Sequence, residues 1–262
     1  MSPGRDNPSS VARRPVSVCI ITKDEEENLP DCLSSVAWAD EIVVVDSRSA
    51  DRTREIAEKA GARVIERDFP GHVEQKNYAV EQARNDWVLC LDADERLSPE
   101  LSASVKRALE DPGDRAGFEC ARLTFHVGRP IRHGGWYPDR KLRLFDRRRG
   151  KWGGRNPHDR VVLEGPAGRL EGDLHHFSYR SLSDHLRQID FFTDIAAKEK
   201  RARGERSSAW RLAFHPLGKF LRMYLLKAGF LDGAAGFVVA VTGAYYVFLK
   251  YAKLREIEKA DG

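Results

Sequence analysis

Three carboxylates follow a run of apolar residues in the stretch Trp87-Val-Leu-Cys-Leu-Asp92-Ala-Asp94-Glu95. Removing a carboxylate from water is costly unless a cation or a hydrogen-bond donor pairs with it, so this placement needs an explanation. Carboxylates spaced as Asp-x-Asp can bind a hard divalent cation, Mg²⁺ or Mn²⁺, because these ions prefer oxygen ligands. The spacing also fits the phosphoacceptor of a receiver-like domain, or a polar cluster that caps the helix predicted from Ser98 onward.

The surrounding pattern predicts an α/β fold. Short apolar or β-branched runs are predicted to form buried strands, and they lie at 16–22, 42–45, 62–65 and 87–91. Helices are predicted between them, capped by Asn28 and by Ser49 or Asp51, with Gly61 closing the second. This alternation is typical of right-handed βαβ units and a parallel sheet.

The sheet predicts where the carboxylates lie. In open parallel sheets, ligands bind outside the carboxyl ends of the strands. Asp46 ends the second predicted strand, and Asp92 and Asp94 end the fourth. We therefore expect these side chains to share a crevice at one sheet edge and not to lie in the core. A receiver domain would carry its acidic pair after the first strand, which instead continues into Lys23-Asp24-Glu25.

The pattern changes after residue 115. Short strands broken by Gly and Pro are predicted at 117–127, 141–145, 161–163 and 170–177, as antiparallel additions to the sheet. A helix with an apolar stripe is predicted over 181–200. The predicted domains are a disordered segment 1–14, an α/β domain 15–205 and a helical, membrane-associated segment 206–262.

Composition excludes several classes of protein. The chain has 262 residues, of which 41% are hydrophobic and 32% charged, which is typical of a soluble globular protein. Two basic zones, 139–155 and 198–227, suit phosphate-bearing partners or an anionic membrane, although a solvated charged face would have the same composition. No nucleic-acid-binding module accompanies them, so we predict no nucleic-acid partner. The four cysteines lack metal-ligand spacing and are predicted to be buried thiols in a reducing compartment.

Longer stretches carry a specific resemblance. VSVCIITKDEEENLPDCLSSV, EIVVVDSRSADRT and QKNYAVEQARNDWVLCLDADERL resemble, in order and spacing, the family 2 glycosyltransferases with a GT-A fold. The chain looks most like the lipopolysaccharide-core type, which adds a hexose to inner-core heptose. This closer similarity is carried by WYPDRKLRLF, NPHDRV, HHFSYRSL and FLDGAAGF. The resemblance implies a Rossmann-like, mostly parallel sheet with antiparallel additions, followed by a helical C-terminal segment.

The resemblance also implies a donor site. Its nucleotide-sugar contacts are predicted to be Thr22, Glu25, Asp46, Ser47, Lys76 and Asp92. Asp94 and Asp92 are expected to coordinate Mg²⁺ or Mn²⁺ on the donor diphosphate, and His176 matches a position that supplies a further metal contact in several GT-A enzymes. The donor is predicted to be UDP-glucose.

A catalytic base is expected on a different segment from Asp94. An inverting transfer needs one group to take the proton of the acceptor hydroxyl as that oxygen attacks the anomeric carbon. The resemblance indicates an acidic residue after a His in the predicted loop 156–160, usually Glu and here Asp159. His158 is the second candidate, and the alternative is an Asp159 that only braces the loop by pairing with Arg155 or Arg160.

The C-terminal segment favours a membrane surface. Residues 233–249 carry no charge, but this run is shorter than the roughly 20 residues that cross a bilayer. The preceding basic and apolar stretch can lie in the headgroup plane. The prediction is a peripheral protein on the inner face of the cytoplasmic membrane that modifies a lipid-anchored glycan. The alternatives are helices packed on the domain or on a second subunit, a non-catalytic nucleotide-sugar-binding protein, and a membrane-surface adaptor.

Overall fold

The structure is a computed structural model that describes residues 13–155 and 158–260. The side chains of Arg155 and His158 lie outside the described part, as do residues 1–12 of the predicted N-terminal segment.

The first half of the chain alternates strands and helices, as the sequence predicts. The elements are β1 (Val16–Thr22), α1 (Leu29–Ser35), β2 (Glu41–Asp46), α2 (Thr53–Lys59), β3 (Arg63–Glu66), α3 (His72–Glu81), β4 (Trp87–Asp92), β5 (Glu95–Leu97) and α4 (Pro99–Glu110).

The second half is richer in strands and ends in helices. The elements are β6 (Gly117–His126), β7 (Arg129–Pro130), β8 (Asp139–Asp146), β9 (Gly150–Arg155), β10 (His158–Leu163), β11 (Ala167–Tyr179), α5 (Leu182–Ala202), α6 (Ala209–Leu221) and α7 (Gly233–Ala260). A π-helical turn, Arg222–Leu226, and a 3₁₀ turn, Gly229–Asp232, connect α6 to α7.

Most strands of the described chain join one mixed sheet. Its order is β3-β2-β1-β4-β8-β6-β11-β5, with β7 paired to β6. The first four strands in this order are mutually parallel, and β8 runs antiparallel to β4. Strands β9 and β10 form a separate antiparallel hairpin. The predicted α/β class, with a parallel sheet and antiparallel additions, is confirmed.

Apolar side chains cover both faces of the parallel strands. Val18 and Ile20 pack with helices α1 and α4 on one face, whereas Cys19 and Val43 pack with α3 and β9 on the other. Strands buried on both sides are continuous apolar runs, which explains why their positions are predicted well from the sequence. All four cysteines are buried free thiols.

Side-chain capping differs from the prediction at two helix starts. Helix α1 begins directly after Asn28, but the Asn28 side chain makes no capping hydrogen bond, and its amide nitrogen donates to the Glu25 carboxylate at 2.7 Å. Helix α2 begins at Thr53, where the Asp51 carboxylate accepts from the Thr53 backbone N–H at 3.0 Å. Both polar side chains order the loops after β1 and β2. Helix α4 is capped by Ser98, whose hydroxyl accepts from the Leu101 N–H.

The chain divides into two compact units. Unit 1 comprises residues up to Ala121 and Arg140–Leu174, and unit 2 comprises Arg122–Asp139 and the chain from His175 onward. In unit 2, helix α7 packs against α5 and α6, and Tyr251 and Leu254 are buried against Ala197 of α5. One stretch of the described residues, Gly229–Ala260, is long and apolar enough to cross a membrane by length and composition, because an 18-residue window within it has a mean hydropathy of 1.4.

Candidate active site

The predicted donor-site residues of the first two strands lie at one sheet edge. Thr22 at the end of β1 is in register with Asp46 at the end of β2, and the Ser47 N–H donates to the Thr22 carbonyl at 2.9 Å. Glu25 lies in the loop after β1, where its backbone N–H donates to the Thr53 hydroxyl at 2.8 Å. Hydrogen bonds between the two loops therefore fix the shape of this edge.

Asp46 differs from the expectation of a crevice residue. It is fully buried, and its carboxylate accepts from the Ser49 backbone N–H at 2.9 Å and from the Ser49 hydroxyl. The carboxylate thus orders the turn that follows β2.

Two buried polar atoms beside Asp46 have no hydrogen-bond partner among the described residues: Thr22 Oγ1 and Gln75 Oε1. Gln75, on α3, is fully buried and donates from Nε2 to the Ser47 hydroxyl at 3.2 Å. The family resemblance implies that this part of α3, with Gln75 and Lys76, lies near the donor. Because buried polar groups are nearly always satisfied, these two atoms are expected to bind a water molecule or a polar ligand.

The carboxylates after β4 have two different environments. Ala93 and Asp94 form the turn between β4 and β5, and this turn brings the Glu95 carboxylate to the Asp92 backbone N–H at 3.1 Å. Glu95 is fully buried, while Asp92 and Asp94 are half-buried. Of these three carboxylates, only Asp92 and Asp94 are therefore partly accessible to a ligand.

A buried arginine pairs with these carboxylates. Arg143 on β8 contacts Glu95 at 2.5 Å and Asp92 at 3.1 Å, and only 4% of its side chain is exposed. Arg143 is not among the site residues predicted from the sequence. It could have been recognised there as a cation between Leu142 and Leu144 in a strand, a position that normally requires a buried counter-ion.

Lys76 links Asp92 to the predicted catalytic base. Its ammonium lies 3.0 Å from an Asp92 oxygen and 2.8 Å from Asp159, and only 7% of the side chain is exposed. Burial lowers the pKa of Lys76, but the carboxylates of Asp92 and Asp159 raise it by more, so the pKa lies above its usual value. Lys76 is therefore a charged residue that pairs with carboxylates on two different elements.

The β9–β10 hairpin brings Asp159 to this position. The Asn77 side chain on α3 donates to the Trp152 carbonyl and accepts from the Trp152 N–H, both at 2.9 Å. The Trp152 ring lies 4.6 Å from the Lys76 ammonium, a cation–π contact. Asp159 therefore lies in strand β10 and not in the predicted loop, and its ion pair is with Lys76, 83 residues away.

Together these side chains form an alternating row: Asp159, Lys76, Asp92, Arg143 and Glu95. Three carboxylates and two cations give a formal charge of −1, and the adjacent Asp94 makes it −2. Hard oxygen ligands with a net negative charge fit a divalent cation. Among the described residues, however, no group of three or more His, Cys, Asp and Glu side chains is already arranged to hold one.

The roles predicted for His176 and His158 are not tested by this row. His176 lies on β11 in unit 2, where its ring is within hydrogen-bonding distance of the Ser178 hydroxyl. The side chain of His158 lies outside the described part of the chain. The roles predicted for both residues remain predictions.

Comparisons with known proteins identify the family. The glycosyl transferase family 2 model matches residues 17–163. The lipopolysaccharide core biosynthesis glycosyltransferase LpsC of Rhizobium meliloti is 31% identical over 93% of this chain and 93% of its own length. An uncharacterized glycosyltransferase of Rickettsia typhi is also 31% identical, over 92% of this chain and 87% of its own length.

A solved structure agrees with the fold. The mannosyltransferase PcManGT of Pyrobaculum calidifontis, in complex with GDP-Man and Mn²⁺, covers 97% of this chain and 90% of its own, with a TM-score of 0.55 and 16% identity. This likeness, together with the mixed sheet, confirms the predicted GT-A-like fold. The family match extends across β1 to β10 and so includes the whole row of charges. This chain belongs to the family 2 glycosyltransferases.

Proposed function

We propose that the protein transfers glucose, with inversion and with a divalent metal, from UDP-glucose to a lipid-anchored glycan of the lipopolysaccharide inner core. The observation that carries the proposal is the pairing of Asp92 and Asp159 through Lys76. It joins a donor-side carboxylate to a carboxylate of another segment within one site. The similarity to LpsC supports the lipopolysaccharide core as acceptor, and glucose and UDP rest on the family resemblance.

Asp92 and Asp94 would hold the metal. Bound there, Mg²⁺ or Mn²⁺ would neutralise the charge that develops on the departing diphosphate. Lys76 and Arg143 already surround Asp92 with positive charge, so the chain's own residues orient this carboxylate. The unsatisfied oxygens of Thr22 and Gln75 support binding of the nucleotide at the neighbouring strand ends.

The metal assignment is tested by Asp94→Ala. Calorimetric titration with UDP-glucose should show Mn²⁺-dependent binding in the unchanged protein. The variant should show no such binding, because it lacks one of the two carboxylates proposed to hold the ion. Asp68→Ala is the matched control, since Asp68 is 80% exposed and pairs only at the surface with Arg48. Metal-dependent binding that survives in Asp94→Ala would refute the assignment.

Asp159 is the proposed catalytic base. Its carboxylate would accept the proton of the acceptor hydroxyl while that oxygen bonds to the anomeric carbon and the bond to the diphosphate breaks. The ion pair with Lys76 holds it in one orientation, and 13% of its side chain remains exposed. The alternative bracing role has a partner among the described side chains, Lys76.

Two substitutions distinguish a catalytic base at Asp159 from a residue that only braces the structure. Asp159→Asn keeps an oxygen that can accept from Lys76 but removes the basic group, so turnover should fall by about 10²-fold or more with donor affinity retained. Asp159→Glu keeps a carboxylate and should retain much of the turnover. Near-normal turnover in Asp159→Asn would favour the brace and move the base to His158.

Unit 2 supports attachment to a membrane surface. The connection between α6 and α7 has an apolar tip, which we define as Leu225, Leu226, Phe230 and Leu231, each 48% to 81% exposed. Residues 206–231 contain five Lys and Arg and no Asp or Glu. Apolar side chains beside cations suit the headgroup region of an anionic bilayer, where each cation contributes about 1 kcal/mol. One face of α7 is covered by α5 and α6, which favours a peripheral helix over a spanning one.

Introducing negative charge at the tip tests this attachment. Leu226 and Leu231 are 81% and 61% exposed, so Leu226→Glu/Leu231→Glu should not disturb the core. It should prevent cosedimentation with phosphatidylglycerol vesicles, whereas Phe69→Glu, an exposed apolar position in unit 1, should not. Truncation at residue 205 is a poorer test because it removes the buried Tyr251 and Leu254. Unchanged cosedimentation of the tip variant would refute the proposal.

A further inference from the structure

Unit 2 contains a polar pocket to which the proposed function assigns no ligand. Arg122 and Thr124 alternate along β6, and His176 and Ser178 alternate along β11, so each pair shares one face of its strand. Trp136 and the neighbouring Tyr179 contribute aromatic rings to the same pocket, which has a volume of about 340 Å³. All these residues belong to unit 2.

The pocket contains an ion pair. Arg122 donates from Nε and Nη2 to the same Asp139 oxygen, at 3.1 and 2.6 Å. The pair lines the pocket with groups that donate and groups that accept hydrogen bonds. Hydroxyl groups of a sugar both donate and accept, and they match such a pair. A phosphate gains no net attraction there because the formal charges of Arg122 and Asp139 sum to zero.

The aromatic side of the pocket is held in place. The centroids of the Trp136 and Tyr179 rings are 5.9 Å apart, and both rings contact His185. His185 is buried and lies 3.0 Å from His126. Aromatic rings that are fixed before binding lose little entropy when a ligand arrives, and they offer an apolar surface to the C–H groups of a pyranose ring.

Size and chemistry point to the same ligand. Small-molecule sites span about 300–1,000 Å³, so this pocket is at the small end of the range and suits one or two sugar rings. We propose that it binds a neutral pyranose ring of the acceptor glycan, between the Trp136 and Tyr179 rings and the Arg122–Asp139 pair. The proposal rests on the proposed function, because it takes the acceptor to be a glycan.

Two simple probes test the pocket: methyl α-D-mannopyranoside, which is neutral, and D-mannose 6-phosphate, which is anionic. Saturation-transfer NMR on the full chain should detect the neutral sugar and give it the higher affinity. Trp136→Ala should weaken its binding by about tenfold, as is typical when an aromatic anchor is truncated. Trp136 also contacts a buried cluster that includes Ile131 and Met223, so Arg122→Met provides a second variant with the same expected loss.

A charge change gives the sharpest result. Asp139→Asn removes one negative charge from the pocket and should reverse the preference in favour of D-mannose 6-phosphate. Asp68→Asn makes the same change of charge at an exposed site in unit 1 and should leave the preference unchanged. The proposal is overturned if the native protein binds neither probe, if it prefers the phosphate, or if neither Trp136→Ala nor Arg122→Met weakens binding.

Donor binding in the same samples separates this proposal from the proposed function. Sugar binding without Mn²⁺-dependent binding of UDP-glucose would refute the assigned donor site and leave the pocket assignment standing. Donor binding without sugar binding would refute the pocket assignment alone.

Discussion

Replacing Arg143 by Met should strongly destabilise unit 1. Arg143 contacts Glu95 at 2.5 Å, and 4% and 0% of the two side chains are exposed. The substitution fills a similar volume but leaves the Glu95 carboxylate buried without its main counter-ion. Removing one partner of a buried ion pair costs about 3–5 kcal/mol. In a chain of this size, each kcal/mol lowers the melting temperature by about 2–4 °C, so we expect a decrease on the order of 10 °C.

A second substitution and a control can assign the loss of stability to the buried Glu95 carboxylate. Adding Glu95→Gln to Arg143→Met removes the buried negative charge but keeps an oxygen for the Asp92 N–H, so the double variant should recover most of the stability. Arg107→Met breaks a surface pair with Glu171, whose side chains are 58% and 83% exposed, and should cost less than about 1 kcal/mol.

Urea titrations followed by fluorescence measure the free energy of unfolding of each variant. The reasoning is refuted if Arg143→Met costs no more than Arg107→Met, or if the double variant is no more stable than the single one. Either result would mean that water or a rearranged side chain satisfies Glu95.

Two further predictions concern stability. Burial, and then the neighbouring His126, lower the pKa of His185 to about 4, so the unfolded chain binds a proton that the folded chain does not between pH 6.5 and about 4. The free energy of unfolding should therefore decline by up to about 3 kcal/mol as the pH falls through this window. Urea titrations at pH 7.5 and 4.5 measure this decline, which should be smaller in His185→Phe. An equal decline in the variant would assign it to other groups. Gly172 has φ +86°, and a Cβ there would lie 2.3 Å from the Leu101 backbone nitrogen, so Gly172→Ala should cost about 3 kcal/mol or more. Gly61→Ala, with φ +78° and no atom within 4 Å, should cost only about 1–2 kcal/mol, and equal losses in the two variants would refute the steric argument.

The parallel strands could be predicted because their signal is local. The edges of β1, β2 and β4 lie within one residue of the predicted runs, since a strand buried on both faces must be apolar throughout. Strand β9 was missed because Gly-Lys-Trp-Gly-Gly-Arg has neither alternation nor β-branched residues. It forms through pairing with β10 and through the hydrogen bonds of Asn77 to Trp152, neither of which appears in its own sequence.

The candidate site was only partly predictable for a similar reason. Asp92, Asp94 and Asp159 belong to stretches with recognisable spacing, and the resemblance indicates their roles. The cations that pair with Asp92 and Asp159 are identified only by contacts across 16 to 83 residues, as with Lys76 to Asp92 and to Asp159. Arg143 lies in the basic zone 139–155 of the sequence, and only the fold shows that its counter-ions are Asp92 and Glu95.

The attachment of the β9–β10 hairpin to α3 has a consequence for engineering. Asn77 recognises backbone atoms of residue 152, both bonds being 2.9 Å long, so this anchor does not depend on which side chain residue 152 carries. A hairpin from another family member can therefore be transplanted as a cassette, provided that its length keeps a backbone amide and carbonyl opposite Asn77. Chimaeras built in this way would vary the residue at position 159 and its neighbours while the rest of the scaffold stays unaltered.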